Sequence, residues 1–216
     1  APTLRYVVAS NLNSHGSTFR TEDLDKPITI GDDPADRWFS PVEIQTGPDG
    51  NVYVADFHAR QLAHYIAYSK GLTDADLGRI YRLKSKGAKP VRVGDAFSSA
   101  NLLETALRHP NRWHRETALR LLGDHKDRQH VAKLRRILRE ETGQVALQAM
   151  WALNLCGGFG KEVALQNLAH DSSHVRRWTV RLLGDQGEVS EQVPQSFIEL
   201  AAVSYTHLTL TTILLL

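Results

Sequence analysis

The stretch HPNRWHRETALRLLGD, residues 109–124, decides the fold, because it returns as HDSSHVRRWTVRLLGD at residues 170–185. His109 and His170, Arg115 and Arg176, Arg120 and Arg181, and the closing Leu-Leu-Gly-Asp all stand 61 residues apart. A weaker copy, Val145 to Leu153, falls halfway between them. The period is therefore about 30 residues, the size at which self-similarity marks an array of units that bury their apolar faces only against one another. Within each unit apolar residues recur at i, i+3 and i+4, which places them on one face of a helix. The spacing predicts helix pairs over 102–108 with 113–122, 129–140 with 144–155, and 161–169 with 175–183, with a final helix over 191–202. Gly123 and Gly184 read as the stops of the inner helices.

Such pairs are short HEAT-like repeats, and residues 101–202 read as an α-solenoid built from them. Arg115 and Arg176 are structural repeat residues suited to stacking between repeats, with Asp124 and Asp185 as available partners. Trp113, Trp151 and Trp178 take inner-helix positions expected to fill the core. The formal net charge is +2, but residues 101–140 hold 10 basic side chains against 5 acidic ones. That local cationic surface invites a nucleic-acid reading. The repetition of the arginines favours a structural role first and protein docking second, with nucleic acid a distant third.

Upstream the period changes from 3.6 to two. Val42, Ile44 and Thr46 alternate with Glu43 and Gln45, the pattern of a half-buried strand. Gly47-Pro48-Asp49-Gly50 is a turn with a mechanism: proline presets φ, Asp49 bonds its own backbone, and Gly50 takes a positive φ. Val52 to Val54 then form an apolar strand ending on Asp56, and Gly78 to Leu83 supply a third. Leu4 to Ala9 alternates like a strand, Asn11 to Ser17 reads as a polar loop, and Ile28 to Ile30 suits a short strand. Short antiparallel strands joined this way are what a propeller blade looks like in sequence. The fold class is thus β then α: a partial β-propeller, its last blade or blades, over residues 1–86, a linker over 87–100, then the solenoid.

The Asp36-x-Trp38-Phe39-x-Pro41-Val42 segment, the Gly47-Pro48-Asp49-Gly50-x-Val52-Tyr53-Val54-Ala55-Asp56 strand and Gly78-Arg79-Ile80-Tyr81-Arg82 carry a resemblance. Together with the repeats that follow, over roughly residues 30 to 185, they resemble the exported "membrane-bound dehydrogenase" propeller proteins of planctomycete-type bacteria. Those are related to sorbosone and soluble quinoprotein glucose dehydrogenases. The match departs at Phe57-His58, where that family often carries Trp-Tyr. The resemblance implies a periplasmic or extracytoplasmic parent that oxidises a sugar or related alcohol. It also implies a haem c domain, and a quinone with Ca²⁺, outside this chain, and missing propeller blades as the partners of residues 1–86. The rival reading is a non-enzymatic scaffold whose solenoid binds another protein.

Asp56, His58 and His64 are the candidates for a ligand or metal rim, since propellers place ligands where strand ends converge. The plainer assignment weighs more: Asp56 caps loop amides, and His58 and His64 are solvated. Asp32, Asp33 and Asp36 could hold Ca²⁺, which wants several oxygens, but turn formation suits them better. No zinc-ligand spacing, nucleophile elbow, P-loop or dinucleotide fingerprint occurs, so the catalytic residues are unknown and no metal is expected here. The single cysteine, Cys156, excludes a Cys-x-x-Cys-His haem attachment and reads as a small buried hydrophobe. No signal peptide stands at the start of the chain. The uncharged run Ser204–Leu216 is too short to span a bilayer, which takes about 20 apolar residues. It resembles a translated artefact, and residues 203–216 are assigned as non-native.

Overall fold

A computed structural model describes residues 5–16, 18–29, 38–58, 69–70, 77–84, 86–87 and 93–186. They fall into two compact units, the first drawn mainly from residues up to Gly94 and the second mainly from Asp95 onward. The order is β then α.

The first unit holds two antiparallel sheets. Strands β1 (Ser10–His15) and β2 (Thr18–Asp23) form a two-stranded ribbon whose side chains are all exposed. This corrects the polar loop expected at Asn11 to Ser17. Neither strand alternates apolar with polar residues, so the pattern that marks a half-buried strand is missing. The strand expected near Leu4 to Ala9 reduces to one bridge, Val7 to Ile28. Strands β3 (Pro41–Thr46), β4 (Val52–Asp56) and β5 (Arg79–Leu83) form the second sheet in the order β3-β4-β5. The β3–β4 turn has the anticipated chemistry. Asp49 Oδ1 accepts the Asn51 amide at 3.1 Å, and Oδ2 accepts Asn51 Nδ2 at 2.7 Å and the Tyr53 hydroxyl at 3.0 Å. Gly50 sits at φ +75°, the left-handed region that costs glycine nothing. Among the described residues Val7, Phe39 and Val54 form a buried apolar cluster here, while Val42 and Ile44 stay 46% and 48% exposed. The alternation in β3 is real, but three strands do not cover it.

From Asp95 to Gln186 the regular structure is helical. Helices α1 (Leu102–Arg108), α2 (Arg112–His125), α3 (Val131–Glu140), α4 (Gly143–Leu155), α5 (Lys161–Leu168) and α6 (Ser173–Gln186) follow in order. A single 3₁₀ turn, Arg128–His130, precedes α3. α3 packs on α4 and α5 on α6, and α4 also touches α1 and α6. Helix α4 therefore sits at the centre, and its composition shows why. Ala146, Leu147, Ala149, Met150, Ala152 and Leu153 are all buried, so apolar residues ring the helix instead of forming a stripe. α3 is the opposite case: Leu134, Ile137 and Leu138 face inward and its charges face out.

The arginines explain the repeat. Arg115 Nη1 donates to the carbonyls of His109 and Pro110, at 2.6 and 2.9 Å. Arg176 Nη1 donates to those of His170 and Asp171, at 2.7 and 3.0 Å. The two guanidiniums thus perform one task at equivalent places, holding the turn that joins the helices of a pair. These bonds run to backbone oxygens. Of the two acidic residues available to the repeated arginines, Asp185 pairs at 3.8 Å with Arg181, the other arginine of its copy, and Asp124 is exposed. The histidine at the head of the second copy also works between pairs. His170 Nδ1 accepts the Ser172 amide at 3.0 Å, which leaves the proton on Nε2, 3.0 Å from the Leu138 carbonyl.

One expectation about the glycines is corrected. Gly123 does not stop its helix, since α2 runs on to His125, and α6 likewise runs past Gly184 to Gln186. Gly123 is small because a Cβ there would stand 3.3 Å from Leu155 Cδ2. The helix that does end on glycine is α4. Gly157 takes φ +69°, its amide donates to Asn154 O at 3.0 Å, and the Gly158 amide donates to Leu153 O at 2.8 Å. This is the Schellman pattern. At the end of α2 the same pair of bonds recurs, Lys126 N to Gly123 O at 3.1 Å and Asp127 N to Leu122 O at 3.4 Å. There the left-handed residue is Lys126, at φ +48°. The helix expected over 191–202, the Asp32–Asp36 turn and the assigned artefact tail lie outside the described residues.

Two outcomes follow. Lys126→Gly should raise stability by about 1 kcal/mol, because it removes the Cβ penalty of the left-handed conformation, whereas Gly157→Ala should lower it by a similar amount; thermal melts of the two variants check the opposed signs. The Asp49 carboxyl is held below the ordinary 3.8 by the Asn51 side chain first, then by the Asn51 amide, the Tyr53 hydroxyl and Arg82. A lowered folded value means stability present above pH 3.8 and lost as pH falls through that lower value. The destabilisation caused by Asp49→Ala should accordingly be full at pH 7 and shrink on acidification below pH 3.8, measured by urea unfolding.

Candidate functional site

In the first unit the candidate corner forms where β4 ends. Asp56 is 4% exposed, and its Oδ1 accepts two backbone amides, Ser40 N at 2.7 Å and His58 N at 2.9 Å. The Phe57 amide returns a bond to Ser40 O at 3.0 Å. The carboxylate thus ties the residue before β3 to the residues after β4, which is the capping role expected of it. His58 was expected in solvent and is instead buried, at 7% exposure. Its ring stacks on Trp38 with centroids 5.2 Å apart, and its backbone takes φ +47°. A non-glycine residue in that region carries strain of about 1–2 kcal/mol, which the two bonds to Asp56 hold in place. His58 Nδ1 lies 3.8 Å from Asp56 Oδ2, beyond hydrogen-bond reach, and both atoms are buried without a hydrogen-bond partner among the described residues. His64, the third candidate, lies outside the described residues.

The corner is a latch that brings one carboxylate and one imidazole together. Among the described residues no three His, Cys, Asp or Glu side chains converge as a metal would require. The haem c implied by the resemblance does not fit the residues present. Its attachment takes two cysteines, and the chain's one cysteine, Cys156, is fully buried at the end of α4, its thiol pushed up by burial. No step through haem is derived.

In the second unit the surface features lie where sequence reasoning did not look. Trp151 on α4 and Trp178 on α6 meet edge to face with centroids 5.0 Å apart, and the Arg181 guanidinium sits 5.0 Å over the Trp178 ring. Both tryptophans are half-buried, packed against the core rather than enclosed by it, and Trp113 is half-buried. Leu155, one turn beyond Trp151, is 41% exposed. The sequence carried the tryptophans but not their pairing, which needs α4 and α6 side by side. The buried His114, stacked between Phe97 and His109 at 5.6 and 4.0 Å, was missed as well. Its repeat counterpart is Val175, so the alignment marks its position as apolar. Among the described residues no helix is long and apolar enough to cross a membrane.

If the latch holds the strand ends together, Asp56→Ala leaves the Ser40 and His58 amides without an acceptor and costs about 2–4 kcal/mol. Asp56→Asn keeps one acceptor oxygen and should cost about half as much. Hydrogen exchange at the two amides provides the measurement: protection is lost in the alanine variant and partly kept in the asparagine one.

Comparison with known proteins matches the two parts of the chain separately. No curated protein and no solved structure gives a significant match. Residues 1–87 match the model of a domain of unknown function, DUF7133. Residues 99–170 match the model for HEAT repeats. The six helices from Leu102 to Gln186, with their arginine-held turns and central apolar helix, are consistent with HEAT-like repeats, and the match itself covers those up to residue 170.

Proposed function

We propose that the helical unit is a protein-binding scaffold, and that residues 1–86 are the closing part of a β-propeller carried on the same chain. The observation that carries the first statement is the surface formed by Trp151, Trp178, Arg181 and Leu155 on α4 and α6. Tryptophan and arginine dominate the energetics of protein interfaces, because they bring large area, a polar handle and little flexibility to lose. HEAT repeats stack into extended surfaces of the kind partners dock on. The propeller reading is supported by β3-β4-β5, an antiparallel meander with Val42, Ile44 and Ile80 still exposed, the last at 75%. A propeller blade has neighbours to cover such residues.

The competing reading, a sugar or alcohol dehydrogenase, rests on the resemblance. Removing a hydride from an alcohol takes a base beside the substrate and an acceptor for the electrons. Among the described residues, the carboxylate at the strand-end corner, that of Asp56, already spends its Oδ1 on two backbone amides.

Two experiments separate these readings. Peptides selected on the purified chain from a phage-displayed library should lose at least about tenfold in affinity, about 1.4 kcal/mol, on Leu155→Glu and on Arg181→Glu. Selected peptides indifferent to both substitutions would refute the assigned face. The chain is also incubated with aldoses, alcohols and an artificial electron acceptor, with and without quinone and Ca²⁺. Turnover abolished by Asp56→Ala would establish the dehydrogenase reading instead.

A further inference from the structure

Away from that face, α3 and α5 border a shallow depression of about 80 Å³. Its walls carry Arg135 and Arg139 from α3 and Glu162 and Gln166 from α5, and its floor is Leu138 and Val163, both buried. We infer that this depression binds the carboxylate side chain of an acidic, extended segment of a partner protein, an inference that rests on the scaffold reading and names the chemistry of what the scaffold holds.

The size of the depression is the first argument. Small-molecule and cofactor sites run to about 300–1,000 Å³, so this one is far too small for a nucleotide or a quinone. A depression of that size admits the tip of one side chain rather than a whole small molecule. The arginines are the second. Residues four apart lie on one face of a helix, so both guanidiniums border the same space. Arg135 Nη2 donates to the Gly158 carbonyl at 3.1 Å, which holds that side chain against the wall before any ligand arrives. It has five N–H donors, and this bond uses one. Arg139 is exposed and has no ion pair among the described residues, whereas the neighbouring Arg136 pairs with Glu140 at 3.9 Å. Two planar guanidiniums, one anchored and one free, suit the forked geometry of a carboxylate.

Glu162 decides the class of partner. No ion pair within 4 Å joins it to either arginine among the described residues, so it stands in the lining as a separate negative charge. A nucleic-acid backbone presents a continuous run of phosphates and is bound by sustained positive potential. Glu162 here, with Glu140 and Glu141 at the end of α3, interrupts it. A peptide places its charges singly and meets a mixed lining with one acidic side chain, while its neighbouring backbone amides can donate to Glu162.

The test uses the full 216-residue chain and a fluorescein-labelled octapeptide of alternating glutamate and leucine, followed by anisotropy at low ionic strength. A glutamine-for-glutamate peptide and a thymidine oligonucleotide serve as the neutral and polyphosphate probes. Arg139→Gln and Arg135→Gln should each weaken the acidic peptide about fivefold, the upper range for an accessible ion pair. Glu162→Gln should tighten it about twofold by removing a like charge. Lys133→Gln, an exposed cation of the same helix outside the depression, should change it by less than about twofold. Arg139 is exposed, so its variant reports even where Arg135→Gln disturbs the fold. Unchanged affinity in Arg139→Gln, an equal loss in Lys133→Gln, or oligonucleotide binding with the same arginine dependence would each overturn the inference. Peptides that respond to Leu155 and Arg181 but not to Arg139 would overturn it while leaving the scaffold reading intact. Absence of binding by any peptide would remove both.

Discussion

A helix with buried apolar residues around most of its circumference needs cover from several sides, and α4 imposes that constraint on the helices described after Asp95. Its buried ring of alanines, leucines and Met150 needs cover from several directions at once. The cover comes from α3 beside it and from α1 and α6 on its flanks. Burying an apolar side chain contributes about 1.5–3 kcal/mol, so most of the stability of this unit is concentrated around one helix. The capping arginines and the bridging histidine then set the turns from which the covering helices leave. They give the packing its geometry, and the apolar ring gives it its energy.

Much of this was legible in the sequence, because the signal repeats. Helix pairs fall within two or three residues of the expected bounds, since periodicity and the duplicated Arg-to-carbonyl turn mark the same places twice. The misreading of Gly123 shows where local inference fails. A stop glycine and a close-packing glycine look alike in one segment, and the atom that distinguishes them belongs to Leu155, in another helix. Likewise the β1–β2 ribbon buries no face, so it leaves no alternation to read.

The candidate corner divides in the same way. The capping role of Asp56 is local, set by amides two residues on and across one hairpin, and could be anticipated. The burial of His58 depends on where Trp38 arrives, which no spacing encodes. The depression between α3 and α5 was invisible for a similar reason: Arg135 and Arg139 read as one more charged face until Glu162 is set opposite them. Arg135 and Arg115 are both arginines of the basic region 101–140, yet one borders a depression and the other serves its own turn.

Because Arg115 and Arg176 each bond the turn five and six residues behind them, the first and third helix pairs each carry a fastening of their own. An array built so has a one-dimensional energetics, with a term for each unit and a term for each junction. Such a chain can grow or shrink by whole copies without renegotiating its interior. It also unravels by degrees from its ends, where a unit has lost one junction, before the middle around α4 gives way.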